Sequence, residues 1–288
     1  MSKKDLLDNI KKLRELTGVG FKDCKIALDE TEGDIESSIE FLRKKGIAKA
    51  SKKMSRTASE GLALVKEKSG EIALIEVNSE TDFVAKNQDF INFCKELSEI
   101  NLQVKCDLKK LNETNMKNGI SVKDNLVNLI AKIGEKITIR RANYYDNNEG
   151  LNFFYVHSAL EKGVGKIISL VKLDGIVPGK NDTIGNKIAM HIAASNPLAL
   201  DKDGINKTIV DKELEIIKAE ITNSGKPAEM AEKISKGKIL KFLNDNSLLN
   251  QIWIMDPKKK VADILKENSI DKELKIVGFT RYKVGEGV

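Results

Sequence analysis

Long apolar runs are missing from this 288-residue chain, and with them the ~18 consecutive apolar residues that a membrane span needs. The first twenty residues alternate charged and apolar positions, which excludes the continuous apolar stretch of a signal peptide. Cysteine is scarce. Cys24, Cys94 and Cys106 are odd in number and without C-x-x-C spacing, so a disulfide framework and a zinc knuckle are both disfavoured and a reducing, cytoplasmic setting fits best. Histidine is scarcer: His157 and His191 are the two present, and they are not spaced as metal ligands. Excess charge is also small. The 49 basic residues nearly balance 43 acidic ones, and the net +6 admits a nucleic-acid partner without requiring one.

What is present is 41% hydrophobic and 32% charged, a globular composition at a length that two or three modules fill. Three helical patterns occupy Lys3 to about Gly46. Leu6, Leu7, Ile10 and Leu13 share one spacing, Cys24, Ala27 and Leu28 repeat it, and Ile35, Ile39 and Leu42 do so again. The segment Thr17-Gly18-Val19-Gly20 supplies a loop, and Gly33-Asp34 a stop followed by an N-cap. From Lys49 to Arg56 the chain shows no apolar face and no interleaved aromatics, so it reads as a solvated basic tether.

The period then changes. Leu62, Leu64 and Val65 face Ile72, Leu74 and Ile75 across Lys68-Ser69-Gly70-Glu71, a hairpin signature. Ser79-Glu80-Thr81-Asp82 offers helix capping ahead of Phe83, Phe90 and Leu97, which recur every seven residues and so share one helix face. By periodicity alone Phe83 is a core residue. A helix over Leu126 to Ile133, strands over 137–142 and 153–157, a turn at Lys162-Gly163-Val164-Gly165, a strand over 167–173 and a helix over 188–194 come next. The runs 61–97 and 152–194 thus share an order of strand, turn, strand and helix, which suggests a structural duplication. Val210, Leu214, Ile217 and Ile221, then Met230, Ile234, Leu240 and Leu243, flank Ser224-Gly225-Lys226-Pro227 and predict a projecting helical hairpin. A helix over 261–265 and a strand over 276–284 close the chain.

Catalytic chemistry is not evident. Gly163-Val164-Gly165-Lys166 misses the phosphate-loop pattern twice, with Leu160 where the first Gly belongs and Ile167 where Ser or Thr must reach magnesium. Gly18-Val19-Gly20 lacks the third Gly of a dinucleotide fingerprint. Cys24 lies on an apolar helix side and reads as a buried structural thiol. His191, among Met190, Ile192 and Ala193, reads as a packed surface-edge histidine.

Thr81-Asp82-Phe83-Val84-Ala85-Lys86-Asn87 resembles the T-D-F-V-x-x-N signature of the elongation factor Ts family. Leu13-Arg14-Glu15-Leu16-Thr17-Gly18-Val19-Gly20, followed by Asp23-Cys24-Lys25, is similar to that family's opening helix and loop. The similarity continues in Gly134-Glu135-Lys136-Ile137 with Arg140-Arg141, in His191-Ile192-Ala193-Ala194 with Pro197, in Ser224-Gly225-Lys226-Pro227 and in 281–287. The resemblance implies an α+β, multi-module fold: an N-terminal three-helix bundle of the ubiquitin-associated (UBA-like) type, a core of two related α+β subdomains and an inserted antiparallel helical hairpin. On the chain this places a docking module with its basic linker at 1–54, a subdomain carrying T-D-F-V at 55–145, a second subdomain at 146–206 and 246–288, and the hairpin at 207–245.

The resemblance further implies a non-enzymatic guanine-nucleotide exchange factor that needs no cofactor. Its partner is elongation factor Tu, GDP-bound and nucleotide-free, with no membrane or direct nucleic-acid binding required and with homodimerisation left open. In this family the aromatic of T-D-F-V, here Phe83, pushes in beside the partner's magnesium site so that GDP leaves. Thr81, Asp82, Phe83 and Val84 form that magnesium-dislocating segment, and Asp82 holds its shape. The family's other contacts fall on Leu13, Gly20, Phe21, Val164, His191, Ile254 and Met255. Phe21 and Lys22 replace frequent methionines, and Trp253 replaces the usual Phe. Two other readings remain: a ubiquitin-type adaptor, from the three-helix module with its Gly-Phe loop, and a basic RNA-binding translation protein, which salt-dependent RNA retention would mark.

Overall fold

The computed structural model describes residues 3–17, 19–223 and 228–288, and these divide into two compact units. The first unit comprises 1–144, 159–166 and 282–288; the second comprises 145–158 and 167–281. Gly18 and the whole Ser224-Gly225-Lys226-Pro227 tip lie outside the described residues.

In the first unit, α1 (Lys3–Thr17), α2 (Phe21–Glu30) and α3 (Ile35–Ser51) form the expected bundle around Ile10, Leu13, Cys24, Ala27, Leu28 and Leu42. Asp34 caps α3, its carboxylate accepting the Ser37 N–H at 2.7 Å. The expected tether from Lys49 departs from the structure. α3 runs on through Ser51, and Ala50 is buried in the same apolar cluster as Phe90 and Leu97. Small residues explain the difference: a Cβ on Gly46 would meet Val127 and Ala131 of α7 (Val122–Ile133) at 3.6 Å, so Gly46 and Ala50 let α3 lie close to α7. Arg43 adds an ion pair to Asp124 at 2.9 Å. Residues 1–54, expected as a module, therefore belong to the same compact unit as residues 55–144.

That unit's sheet is built on the hairpin of β1 (Glu60–Lys68) and β2 (Glu71–Ser79), antiparallel with Leu64 opposite Ile75. Ser69 and Gly70 both take positive φ, as a two-residue hairpin loop with the strand twist requires. β3 (Ile137–Tyr145) flanks β2 on one side. On the other side the segment expected as a turn supplies β5 (Val164–Gly165), paired antiparallel with β1. Its register sets Val164 opposite Leu64. α4 (Asp82–Ala85), α5 (Gln88–Gln103), α6 (Leu108–Glu113) and α7 surround this sheet, and Phe90, Phe93, Leu97, Leu111 and Ile130 fill the space between.

In the second unit, β4 (Leu151–His157) pairs antiparallel with β6 (Ile167–Asp174), and β7 (Lys275–Lys283) lies on the far side of β6. α8 (Thr183–Ser195) covers β4 and β6 through Ile184, Ile188 and Ile192, so an antiparallel strand pair under one helix recurs in both units. Asn196, in a left-handed conformation, ends α8. α9 (Lys207–Asn223) and α10 (Ala228–Asn246) pack on each other, with Ile217 and Ile221 buried and Ile216 and Leu240 exposed. The apolar seam is narrow. A short 3-10 turn at Leu248–Asn250 and α11 (Val261–Glu267) complete the unit.

Candidate functional site

The Phe83 segment is shaped by a helix break. Asn87 caps α5, its side-chain oxygen accepting the N–H of Asp89 at 2.9 Å and of Phe90 at 3.3 Å. Phe83 therefore does not share a helix with Phe90 and Leu97. It sits in the single turn α4, 78% exposed, while Phe90 and Leu97 are fully buried. The seven-residue spacing that predicts a core position runs across a helix break that Asn87 marks, and an Asn ahead of an apolar periodic run is the signal for it. Among the described residues no large apolar side chain is more exposed.

Val84 and Ala85, next in sequence, are buried in the first unit's core and anchor the turn from below. Asp82 accepts from Lys86 Nζ at 2.8 Å; this contact lowers the Asp82 carboxyl pKa and raises that of Lys86. Lys86 Nζ also lies 6.0 Å from the Phe83 ring centroid, at the edge of cation–π range. The turn thus carries an exposed ring, a neutralised charge pair beside it and two buried anchors.

The remaining residues expected to contact a partner separate into buried and exposed. Leu13 is fully buried in the bundle, and Val164 is buried against β1, so neither side chain offers a surface. Near Leu13 in sequence it is Leu16 and Phe21 that are about half exposed, with Gly20 at the N-cap of α2. A Cβ on Gly20 would meet nothing within 4 Å, so that corner is open.

His191 corrects the expectation of a surface-edge histidine: it is fully buried in the second unit. Its ring stacks on Trp253 at 5.1 Å between centroids. The Ile254 N–H donates to Nδ1 at 3.4 Å, so Nε2 carries the proton and donates to Gln251 Oε1 at 3.0 Å. Gln251 is held in that orientation because its amide group donates to the carbonyls of Ser195 and Asp245. Burial lowers the His191 pKa, with the Gln251 bond opposing part of the shift, and the ring is the neutral tautomer. What reaches solvent is the loop that His191 steadies, with Ile254 and Met255 each nearly half exposed. No local sequence signal marks Gln251, because its partner lies 60 residues away.

No group of three or more potential metal ligands occurs among the described residues. Cys24 and Cys94 are buried, and burial holds the half-buried Cys106 thiol up at about 11. No described helix is long and apolar enough to cross a membrane. The fold and this set of exposed apolar points define a multi-module α+β protein whose prominent surface features suit docking.

Comparison with known proteins is consistent with that class. The family model described as Elongation factor TS matches residues 80–286. A protein of Methylobacterium nodulans named Elongation factor Ts is 43% identical over 284 residues, covering 97% of this chain and 92% of the relative. Relatives of the same name from Rhizorhabdus wittichii and Gluconobacter oxydans are 40% and 39% identical over 282 residues, again across 97% of this chain. The chain belongs to the elongation factor Ts family. That family consists of guanine-nucleotide exchange factors for elongation factor Tu in translation elongation.

Proposed function

We propose that this chain releases GDP from elongation factor Tu by driving Phe83 into the GTPase beside its magnesium site, loosening the metal and the β-phosphate. The observation that supports this reading is the 78% exposure of an aromatic ring on one turn of helix whose neighbours Val84 and Ala85 are rooted in the core. A free protein leaves such a ring in water at a cost that burial in a partner recovers.

Magnitudes divide the work. Burying one Phe contributes about 1.5 to 3 kcal/mol, and each tenfold loss of nucleotide affinity requires about 1.4 kcal/mol of coupling. One ring alone therefore accounts for roughly one to two powers of ten. The rest comes from a surface that binds the nucleotide-free partner better than the loaded one, and linkage requires GDP to weaken the factor by the same ratio. Phe21, Ile254 and Met255 are the exposed apolar side chains that serve this docking, with Leu13, Val164 and His191 acting through the elements they hold.

Residues 1–54 then act in docking, and the hairpin 207–245 is separable from exchange, its narrow seam marking it as a projection. The setting for this reaction is the cytoplasm. The direct test tracks mant-GDP leaving elongation factor Tu with and without this protein. Release that accelerates with factor concentration and saturates supports the reading; unchanged release would refute it.

A further inference from the structure

The N-terminal end of the Phe83 turn is fixed from outside the turn. α4 has four residues, too few to hold a helical turn by its own hydrogen bonds. Thr81 stands at its N-cap with φ −123° and ψ 159°, yet its hydroxyl makes no capping bond. The hydroxyl instead donates to Glu135 Oε1 at 2.8 Å, and the Thr81 N–H donates to Glu135 Oε2 at 3.0 Å. Both carboxylate oxygens are thus used on one residue, two charge-assisted bonds that fix position and direction together.

The contact is reciprocal. The Lys136 N–H donates to Glu80 Oε1 at 2.5 Å, so each of two acidic residues accepts the backbone N–H of the residue after the other. Burial acts to raise the Glu80 carboxyl, and the Lys136 N–H with Arg56 at 3.2 Å outweighs it, leaving the pKa below its ordinary value. Glu135 is itself well placed for this. Gly134, at φ +89°, ends α7 in the left-handed region, and β3 starts at Ile137, so Glu135 sits between a helix stop and a strand start.

We propose that Glu135 is a positioning residue for nucleotide exchange: it clamps Thr81, while Glu80 holds the backbone of Lys136 next to it, and so sets the direction in which Phe83 is presented. The inference rests on the wedge reading of Phe83 given above. The turn then has two supports, Glu135 on its N-terminal side and the buried Val84 and Ala85 on its C-terminal side. Removing the carboxylate leaves the apolar anchors and the fold in place while the presented ring samples more directions. Its effect therefore passes through Phe83 alone.

The test measures mant-GDP release from elongation factor Tu over a range of factor concentrations, using the full chain with Glu135→Gln, Glu135→Ala, Phe83→Ala and Glu135→Ala/Phe83→Ala. Amide hydrogen exchange at Thr81 is monitored in the same proteins. Glu135→Ala is expected to lower the maximal release rate about tenfold, the scale of one lost charge-assisted bond once the freed Thr81 groups are partly taken up by water, with a much smaller change in half-saturating concentration. Glu135→Gln, which keeps one acceptor oxygen, is expected to fall between it and the parent. The Thr81 amide exchanges faster in both. In the Phe83→Ala background, Glu135→Ala adds no further slowing.

Full additional slowing in that background would show Glu135 acting independently of Phe83 and overturn the proposal. Undiminished maximal release by Glu135→Ala beside an impaired Phe83→Ala would overturn the clamp and leave the wedge standing. Undiminished release by Phe83→Ala itself would remove the wedge and the clamp with it. Should Glu135→Ala not fold, Glu135→Gln alone and with Phe83→Ala decides by the same criteria.

Discussion

The turn around Phe83 and the loop after Trp253 handle aromatic rings in opposite ways. In the first, the ring faces solvent and the neighbouring residues are buried; in the second, His191 and Trp253 are stacked and buried and their neighbours Ile254 and Met255 are exposed. The first arrangement leaves the ring outside the fold's stability, which is what the proposed wedge role requires. The second ties the surface to the core, so under the proposed docking role changes there act through the stability of the fold. Family motifs include both regions without distinguishing these roles, and burial separates them.

The largest effect on stability is therefore expected in the second region. Trp253→Ala should cost about 3 to 5 kcal/mol, because it removes a buried ring and leaves a cavity beside His191. Chemical denaturation checks this, and a loss below about 1 kcal/mol would show that the stack is not a packing element.

His191 sharpens the comparison through pH. Its folded-state pKa lies below the ordinary 6.5, so the unfolded chain binds the proton more readily. The contribution is complete above about pH 6.5 and declines as pH falls from there through the folded-state pKa. His191→Gln should flatten the stability profile across that window, read by denaturation at about pH 7.5 and about pH 5.5. An unchanged slope would mean that the ring does not titrate as its burial requires.

A smaller effect, on binding alone, is expected at the α2 corner. Phe21 is 47% exposed, and in the proposed function it serves docking. Phe21→Ala should raise the half-saturating concentration in the exchange assay by roughly fivefold, the scale of about 1 kcal/mol of apolar contact, and leave the maximal rate in place. A reduced maximal rate would move Phe21 from docking into the exchange step.

Local signals made much of this fold legible. The first bundle is readable from three spacings and the Asp34 cap, the β1–β2 hairpin from Ser69-Gly70, and α9 and α10 from their apolar repeats. What the sequence concealed depends on distant partners. Val164 and Gly165 form a strand only because β1, about a hundred residues earlier, offers its edge. Ala50 looks like part of a charged tether until α7 is in place to cover it. His191 reads as a surface residue because Gln251 and Trp253 are far along the chain. Phe83 is different: its signal was local, in Asn87, but the seven-residue repeat of Phe83, Phe90 and Leu97 masked it.

The smallest stability change and the decisive functional one are expected from the same substitution, Phe83→Ala, which tests the separation of wedge from core most directly. Thermal unfolding and mant-GDP release at saturating factor are measured on one preparation. The expected outcome is a melting temperature nearly equal to the parent's and a maximal release rate reduced by at least about tenfold. A loss of about 3 kcal/mol or more, the cost of a buried Phe, or full exchange activity in a folded mutant, would contradict it.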